Sequence, residues 1–221
     1  MGFWTWLTGK KSSVTATDRI WLTKAARWRG LCRELLEHLP STEPSILLAH
    51  FPATLAEVQQ ELSRQGVPHR WVDHSISAKE INRLAGPDGL VHLGLVKQLQ
   101  PDPFPDQHAE RKGLIRILVA ERHFLRECDE VIITFAAGLG KYCQVTYHCS
   151  LEDPLMKVFA GEWVKEALRR RGMDESAPLD SRMVAWHVRG AQGKFAARAG
   201  RRCDADSAEK WLQSNGFGES L

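Results

Sequence analysis

Ser45-Ile46-Leu47-Leu48-Ala49-His50-Phe51, then Thr54-Leu55-Ala56-Glu57, then Gly66, is the passage on which the architecture turns. The first seven residues form an apolar run of strand length. The next stretch places Leu55, Val58 and Leu62 on one helical face behind a Thr54-x-x-Glu57 capping box, and Gly66 supplies the stop. A strand apolar on both faces that leads into an amphipathic helix is the opening unit of a parallel sheet covered by helices.

Working outward, the alternation repeats. His69–Asp73 is a short strand, Ser77-x-x-Glu80 a second capping box, and Gly89–Leu93 a third apolar strand. Residues 98–113 carry Pro101, Pro103 and Pro105 and read as a loop, after which Ile115–Val119 and Gln144–Cys149 continue the sheet. Upstream, Trp21, Ala25, Trp28, Cys32, Leu35 and Leu39 recur at steps of three and four, which predicts a helix from Asp18 to the break at Pro40. Val131–Phe135 has strand composition, yet Leu125, Cys128, Ile132 and Phe135 have helical spacing, so periodicity leaves that stretch open. Beyond Asp153-Pro154 the chain reads as helices, over about 155–171, 180–198 and 206–214.

A chain of 221 residues that is 43% hydrophobic and 26% charged can bury a core in one or two domains, which argues against disorder and against a small disulfide scaffold. Thirty basic against 27 acidic side chains give a net charge of only +3, so any anion-binding surface must be local. One such stretch is residues 165–202, with ten Lys or Arg against four acids. Another is the start, where Phe3, Trp4, Trp6 and Leu7 precede Lys10 and Lys11, a mix suited to a lipid headgroup boundary. Five scattered cysteines and no cleavable leader lead us to expect a cytoplasmic protein with reduced thiols. No apolar run reaches the roughly eighteen residues of a spanning helix.

Tests for catalytic motifs give little. A phosphate-cradling loop needs G-x-x-x-x-G-K-[ST], and neither Gly9-Lys10-Lys11-Ser12 nor Gly138-Leu139-Gly140-Lys141-Tyr142 satisfies it. Cys143, His148 and Cys149 lack the tight pair and fourth ligand of a structural zinc site, so neither metal nor cofactor is expected. His123 near Cys128 has nothing to fix a nucleophilic pair.

Ser150-Leu151-Glu152-Asp153-Pro154-Leu155-Met156-Lys157-Val158-Phe159 resembles the SLEDxLM-hydrophobic-Phe segment of SecA, the ATPase that drives preproteins through the Sec channel. Glu121-Arg122-His123 is similar to the ERH that opens the last helicase motif of that family, and Gly66-Val67-Pro68-His69 to its GIPH. Arg171-Gly172-Met173, Pro178-Leu179, Ser181-Arg182-Met183-Val184 and Ala191-Gln192-Gly193-Lys194 continue the likeness into the family's helical scaffold. The resemblance implies an α/β fold: a single RecA-like parallel sheet with helices on both faces, followed by a helical segment. It implies a tail over 1–17, a second-motor-like domain over 18–160 and a scaffold-like segment over 161–221. It also favours a helix over residues 124–137.

The departures shape the expected function. The family's QLRGRxGRxG falls on Val131–Gly140, where its arginine positions become Ile133, Phe135 and Gly138. Aliphatic or aromatic side chains cannot supply the charge compensation that a guanidinium gives phosphoryl transfer. The family's AGRGTD motif is absent, as is the phosphate-loop motor half. The sequence therefore predicts a SecA-like pseudo-ATPase, not an enzyme, that binds translocase components or preprotein. Neither ATP nor nucleic acid is an expected partner, and peripheral membrane contact is assigned to Phe3, Trp4, Trp6, Lys10 and Lys11. Ile133, Phe135 and Gly138 are expected to form core or a contact surface. Two alternatives stand beside this: a helicase-like nucleic-acid-binding remnant, and a half-motor completed by a phosphate-loop partner in trans.

Overall fold

The computed structural model describes residues 13–39, 43–84, 89–102, 113–157, 162–170, 172, 174, 176–179, 182–200 and 204–217. Six strands form one all-parallel sheet: β1 (Val14–Trp21), β2 (Ser45–Ala49), β3 (His69–Trp71), β4 (Val91–Leu95), β5 (Leu114–Val119) and β6 (Tyr142–Ser150). Their spatial order is β1-β6-β5-β2-β4-β3. The helices are α1 (Lys24–His38), α2 (Pro52–Arg64), α3 (Ala78–Leu84), α4 (Arg126–Gly138), α5 (Pro154–Lys157), α6 (Glu162–Arg170), α7 (Arg182–Ala196) and α8 (Ala208–Ser214).

The apolar run over residues 45–51 is buried because both faces of β2 are covered. Leu47 and Ala49 point into one layer with Leu31, Cys32 and Leu35 of α1 and Leu55, Val58 and Leu62 of α2. Ile46 and Leu48 point into the other, with Ile132, Phe135 and Ala136 of α4 and Val188, Ala191 and Phe195 of α7. This period-two division is what a central parallel strand requires. Helix α2 ends where Gly66 takes φ +68°, a left-handed cap open to glycine.

Three sequence readings change. The predicted helix from Asp18 begins only at Lys24, capped by the Thr23 hydroxyl accepting from Ala26 N at 3.1 Å. Residues 14–21 are instead strand β1, which starts within the stretch read as tail. Its outer edge is closed where Ile20 and Leu179 exchange backbone hydrogen bonds of 3.3 and 2.7 Å. The Thr54 capping box does not form, since α2 starts at Pro52 with Phe51 as N-cap. Reduced thiols are found at Cys32, Cys143 and Cys149, but Cys128 is disulfide-bonded. The open stretch over 131–135 is helix α4, with Cys128, Ile132, Phe135 and Ala136 buried at helical spacing.

Trp21 shows how tightly the edge is built. A Cβ on Gly30 would lie 2.0 Å from the Trp21 ring, so only glycine lets α1 meet β1 here. On the other face Trp211 stacks on Phe124 at 4.6 Å and packs edge-on to Phe195, which holds α8 against α7. Among the described residues no helix is long and apolar enough to cross a membrane.

Candidate functional site

Chain direction across the sheet reverses between β2 and β5: the chain leaves β2 toward β4 and β3, and leaves β5 toward β6. The carboxyl ends of strands at such a switch point are where open α/β sheets place their sites. Here those ends carry His50-Phe51 and Ala120-Glu121-Arg122-His123.

Phe51 offers no side-chain cap, so the first amides of α2 need an acceptor from elsewhere. Glu121 supplies it. Its Oε1 accepts from His50 N and Phe51 N at 3.1 Å each, and its Oε2 accepts from the Thr54 hydroxyl at 2.6 Å. A helix N-terminus favours an anion, and this one is occupied by the chain's own carboxylate. Burial raises the pKa of Glu121, against the opposing pull of Thr54 and His50.

Asp129, one turn into α4, is the hub of the second cluster. Its Oδ1 accepts from His50 Nε2 at 2.8 Å and from His123 N at 3.2 Å. Its Oδ2 accepts from Arg122 at 3.1 Å and from Gln192 Nε2 of α7 at 2.7 Å. Burial alone pushes this carboxyl up, but Arg122 and His50 outweigh it and hold the pKa down to about 2. Arg122 also pairs with Asp18 of β1 at 2.7 Å and lies over the Tyr147 ring, 3.3 Å from its centroid. Gln192 Nε2 donates to the His123 carbonyl as well, at 2.8 Å. One amide thus ties α7 to the β5–α4 turn.

Ser150–Asp153 forms a third junction, at the end of β6. Asp153 accepts from Ser150 N at 2.8 Å and from its hydroxyl at 3.0 Å, while Arg27 of α1 donates to both carboxylate oxygens at 2.8 and 2.9 Å. Glu152 accepts from Lys24 N at 2.8 Å and from Lys165 Nζ of α6 at 3.1 Å. Leu151 is core. Beside it, the fully buried His148 accepts from Trp21 Nε1 at 3.3 Å and faces Glu34 at 3.1 Å, and burial pushes its pKa down.

The seven motif residues of the sequence analysis therefore lie in two separate junctions, Glu121–His123 at β5 and Ser150–Asp153 at β6. Phe135 is core, 1% exposed. Ile133 is partly buried and lines a cavity of about 440 Å³ with Asp18, Arg122, Thr134, Tyr147 and Gln192. Gly138 is half-buried near Asp102, 3.6 Å from a Cβ built there. Phe3, Trp4, Trp6, Lys10 and Lys11 lie outside the described residues. Asp129, His50, Asp18 and Arg27 were not foreseen. Their partners are distant in sequence, and only a charged residue recurring within an apolar helical stripe, as Asp129 does beside Cys128 and Ile132, could have marked one of them. No group of three or more His, Cys, Asp or Glu among the described residues could hold a metal ion. Nearly every polar group of these junctions is matched within the chain, so what they do is fix β1, β2, β5, α4 and α7 relative to one another.

Sheet and switch point define a RecA-like α/β domain, the class to which P-loop motors belong. Residues 102–176 match a family model described as SecA P-loop domain. The protein translocase subunit SecA of Heliobacterium modesticaldum is 25% identical over 184 residues, and that of Syntrophobacter fumaroxidans 28% over 184; both matches cover 82% of this chain and 22% of the relative. SecA of Koribacter versatilis is 36% identical over 89 residues, covering 40% of this chain and 9% of its own. Among solved structures, the C-terminal part of the Fun30 ATPase domain is 13% identical, covers 76% of this chain and 54% of its own, and has a TM-score of 0.36. The chain is SecA-related, and it spans about a fifth of the length of the Heliobacterium and Syntrophobacter SecA proteins.

These findings correct one expectation. A match to a SecA P-loop domain points to a P-loop ATPase, not to a non-enzyme. The expectation rested on Ile133, Phe135 and Gly138 standing where arginines stand in the family and on the missing phosphate loop. Three substituted positions do not decide the chemistry of a phosphoryl-transfer site, which is assembled from several separate parts.

Proposed function

We propose that this chain is the second-motor half of a SecA-like P-loop ATPase and works in protein translocation, contacting translocase components or preprotein. In this reading the phosphate loop and metal-binding carboxylate belong to a motor half outside this sequence, and the domain works on the cytoplasmic side with residues 1–11 touching lipid. The observation that carries the reading is the bridge from Gln192 to both Asp129 and the His123 carbonyl. It joins the helical segment to the turn that bears the family's Glu-Arg-His, which is the connection a motor needs to pass a change at the sheet into its helices.

The test is crosslinked affinity recovery of the tagged protein from its own cells, with and without nuclease, followed by ATPase assay of the recovered assembly. The expected result is nuclease-insensitive recovery of translocase components or exported precursors, with ATP hydrolysis that falls in Gln192→Ala. Recovery of ribosomal or DNA-bound proteins alone, lost on nuclease treatment, overturns the proposal in favour of nucleic-acid binding.

A further inference from the structure

Among the described residues, the rest of the chain covers helix α7 on one side only. Val188, Ala191, Gln192 and Phe195 are buried at helical spacing. The opposite side carries Trp186, 69% exposed, followed at the same spacing by Gly190 and Gly193. A Cβ built on either glycine meets nothing within 4 Å. This contrasts with Gly30, where the Trp21 ring fills the space of the missing side chain. Glycine weakens a helix relative to alanine, and nothing among the described residues accounts for two of them here.

Along α7 itself the charged residues are of one sign, Arg182, Arg189 and Lys194 with no Asp or Glu, while Asp18, Asp129 and Glu130 stand on the other elements that line the neighbouring cavity. Arg189 is exposed, sits at the rim of the 440 Å³ cavity beside Gln192, and makes no ion pair among the described residues. An exposed tryptophan next to unpaired arginine is the residue chemistry of binding anchors.

We propose that this side of α7 docks an acidic helical segment of a partner protein. The segment lies across Gly190 and Gly193, where the absent side chains allow two backbones to approach, packs an apolar residue on Trp186, and places carboxylates on Arg189 and Lys194. A lipid surface fits less well, because interfacial helices present several apolar anchors on one face and the described face of α7 presents one. A nucleic-acid strand would use a series of stacking aromatics. The inference is independent of the translocation reading.

The test is fluorescence anisotropy with the full chain and a labelled amphipathic peptide whose polar face is glutamate, each variant first checked for helix content by circular dichroism. Binding is expected to weaken at least about tenfold in Trp186→Ala, and similarly in Gly190→Leu and Gly193→Leu. The leucine variants keep every charge and favour the helix, so attraction by charge alone would leave their affinity unchanged. No binding of the glutamate peptide, equal binding of a lysine-faced peptide, or indifference to the leucine variants overturns the proposal. So does Trp186-dependent binding of phosphatidylglycerol vesicles or of a single-stranded RNA oligonucleotide in the peptide's place.

Discussion

Glu121 and Asp129 are both buried carboxylates of the same β5–α4 turn, yet they are solvated in opposite ways. Around Glu121 the donors are neutral: two backbone amides and a hydroxyl. Around Asp129 they include the Arg122 guanidinium, with Gln192 and His50 beside it. Burial raises the pKa of the first, whereas charge and hydrogen bonds lower that of the second to about 2. The difference shows that a buried carboxylate at a strand end can serve two purposes: capping a helix tolerates a neutral acid, but joining three elements through a cation requires the charge.

Breaking the charged side of this comparison should have the largest effect. Arg122→Met leaves Asp18 and Asp129 facing each other without their shared cation, and should destabilise the fold by about 3–5 kcal/mol in urea unfolding; a loss below about 1 kcal/mol would show that the pairing carries little of the stability. The comparison also predicts opposite pH slopes. Because the pKa of Asp129 is lowered on folding, its contribution, on the order of 2 kcal/mol, is complete above its unfolded pKa and is lost as pH falls from about 4 through about 2. Glu121 has the reverse sign, since a raised folded pKa means that burying its charge costs stability as pH rises through that value. Asp129→Asn should therefore flatten the acid limb of the stability–pH curve and Glu121→Gln should steepen it, a pair of outcomes that unfolding curves between pH 2 and 7 can separate.

Smaller effects sharpen the boundary of the cluster. Gln192→Ala leaves two buried acceptors short of one donor each and should cost about 1–3 kcal/mol. Hydrogen exchange should locate that loss in α7 and α8, and uniform loss of protection would deny Gln192 a local role. Arg126→Ala, by contrast, removes only an exposed pair with Glu130 on the same helix, 2.9 Å long and more than half accessible on both sides, and should change stability by no more than about 0.5 kcal/mol.

Much of the sheet could be read in advance because central parallel strands are apolar on both faces, and the run Ser45–Ala49 has no other reading at its length. Strand β1 escaped notice for the converse reason. It lies at an edge and contains Asp18 and Arg19, while Trp21 falls by chance in step with Trp28 and Cys32. Ala25, counted in that stripe, is exposed. Helix α4 was left open by periodicity alone, because Val131, Ile132 and Ile133 favour strands locally and only packing of Cys128, Ile132 and Phe135 against the sheet decides. The site was legible as motif and not as geometry. Glu121-Arg122-His123 stood out, but that Glu121 caps α2 and that Arg122 reaches back to Asp18 depends on strand order, which no local pattern encodes.

The Gln192 amide has a mechanical consequence. It grips a side-chain carboxylate and a main-chain carbonyl at once, so a pull along α7 is delivered to the β5–α4 turn directly, without passing through the long stretch of chain that separates them in sequence. A load arriving at the far end of α7 meets a rivet, not a hinge. Two helices are fastened to that one turn, α7 by this amide and α8 by the stacking of Trp211 on Phe124.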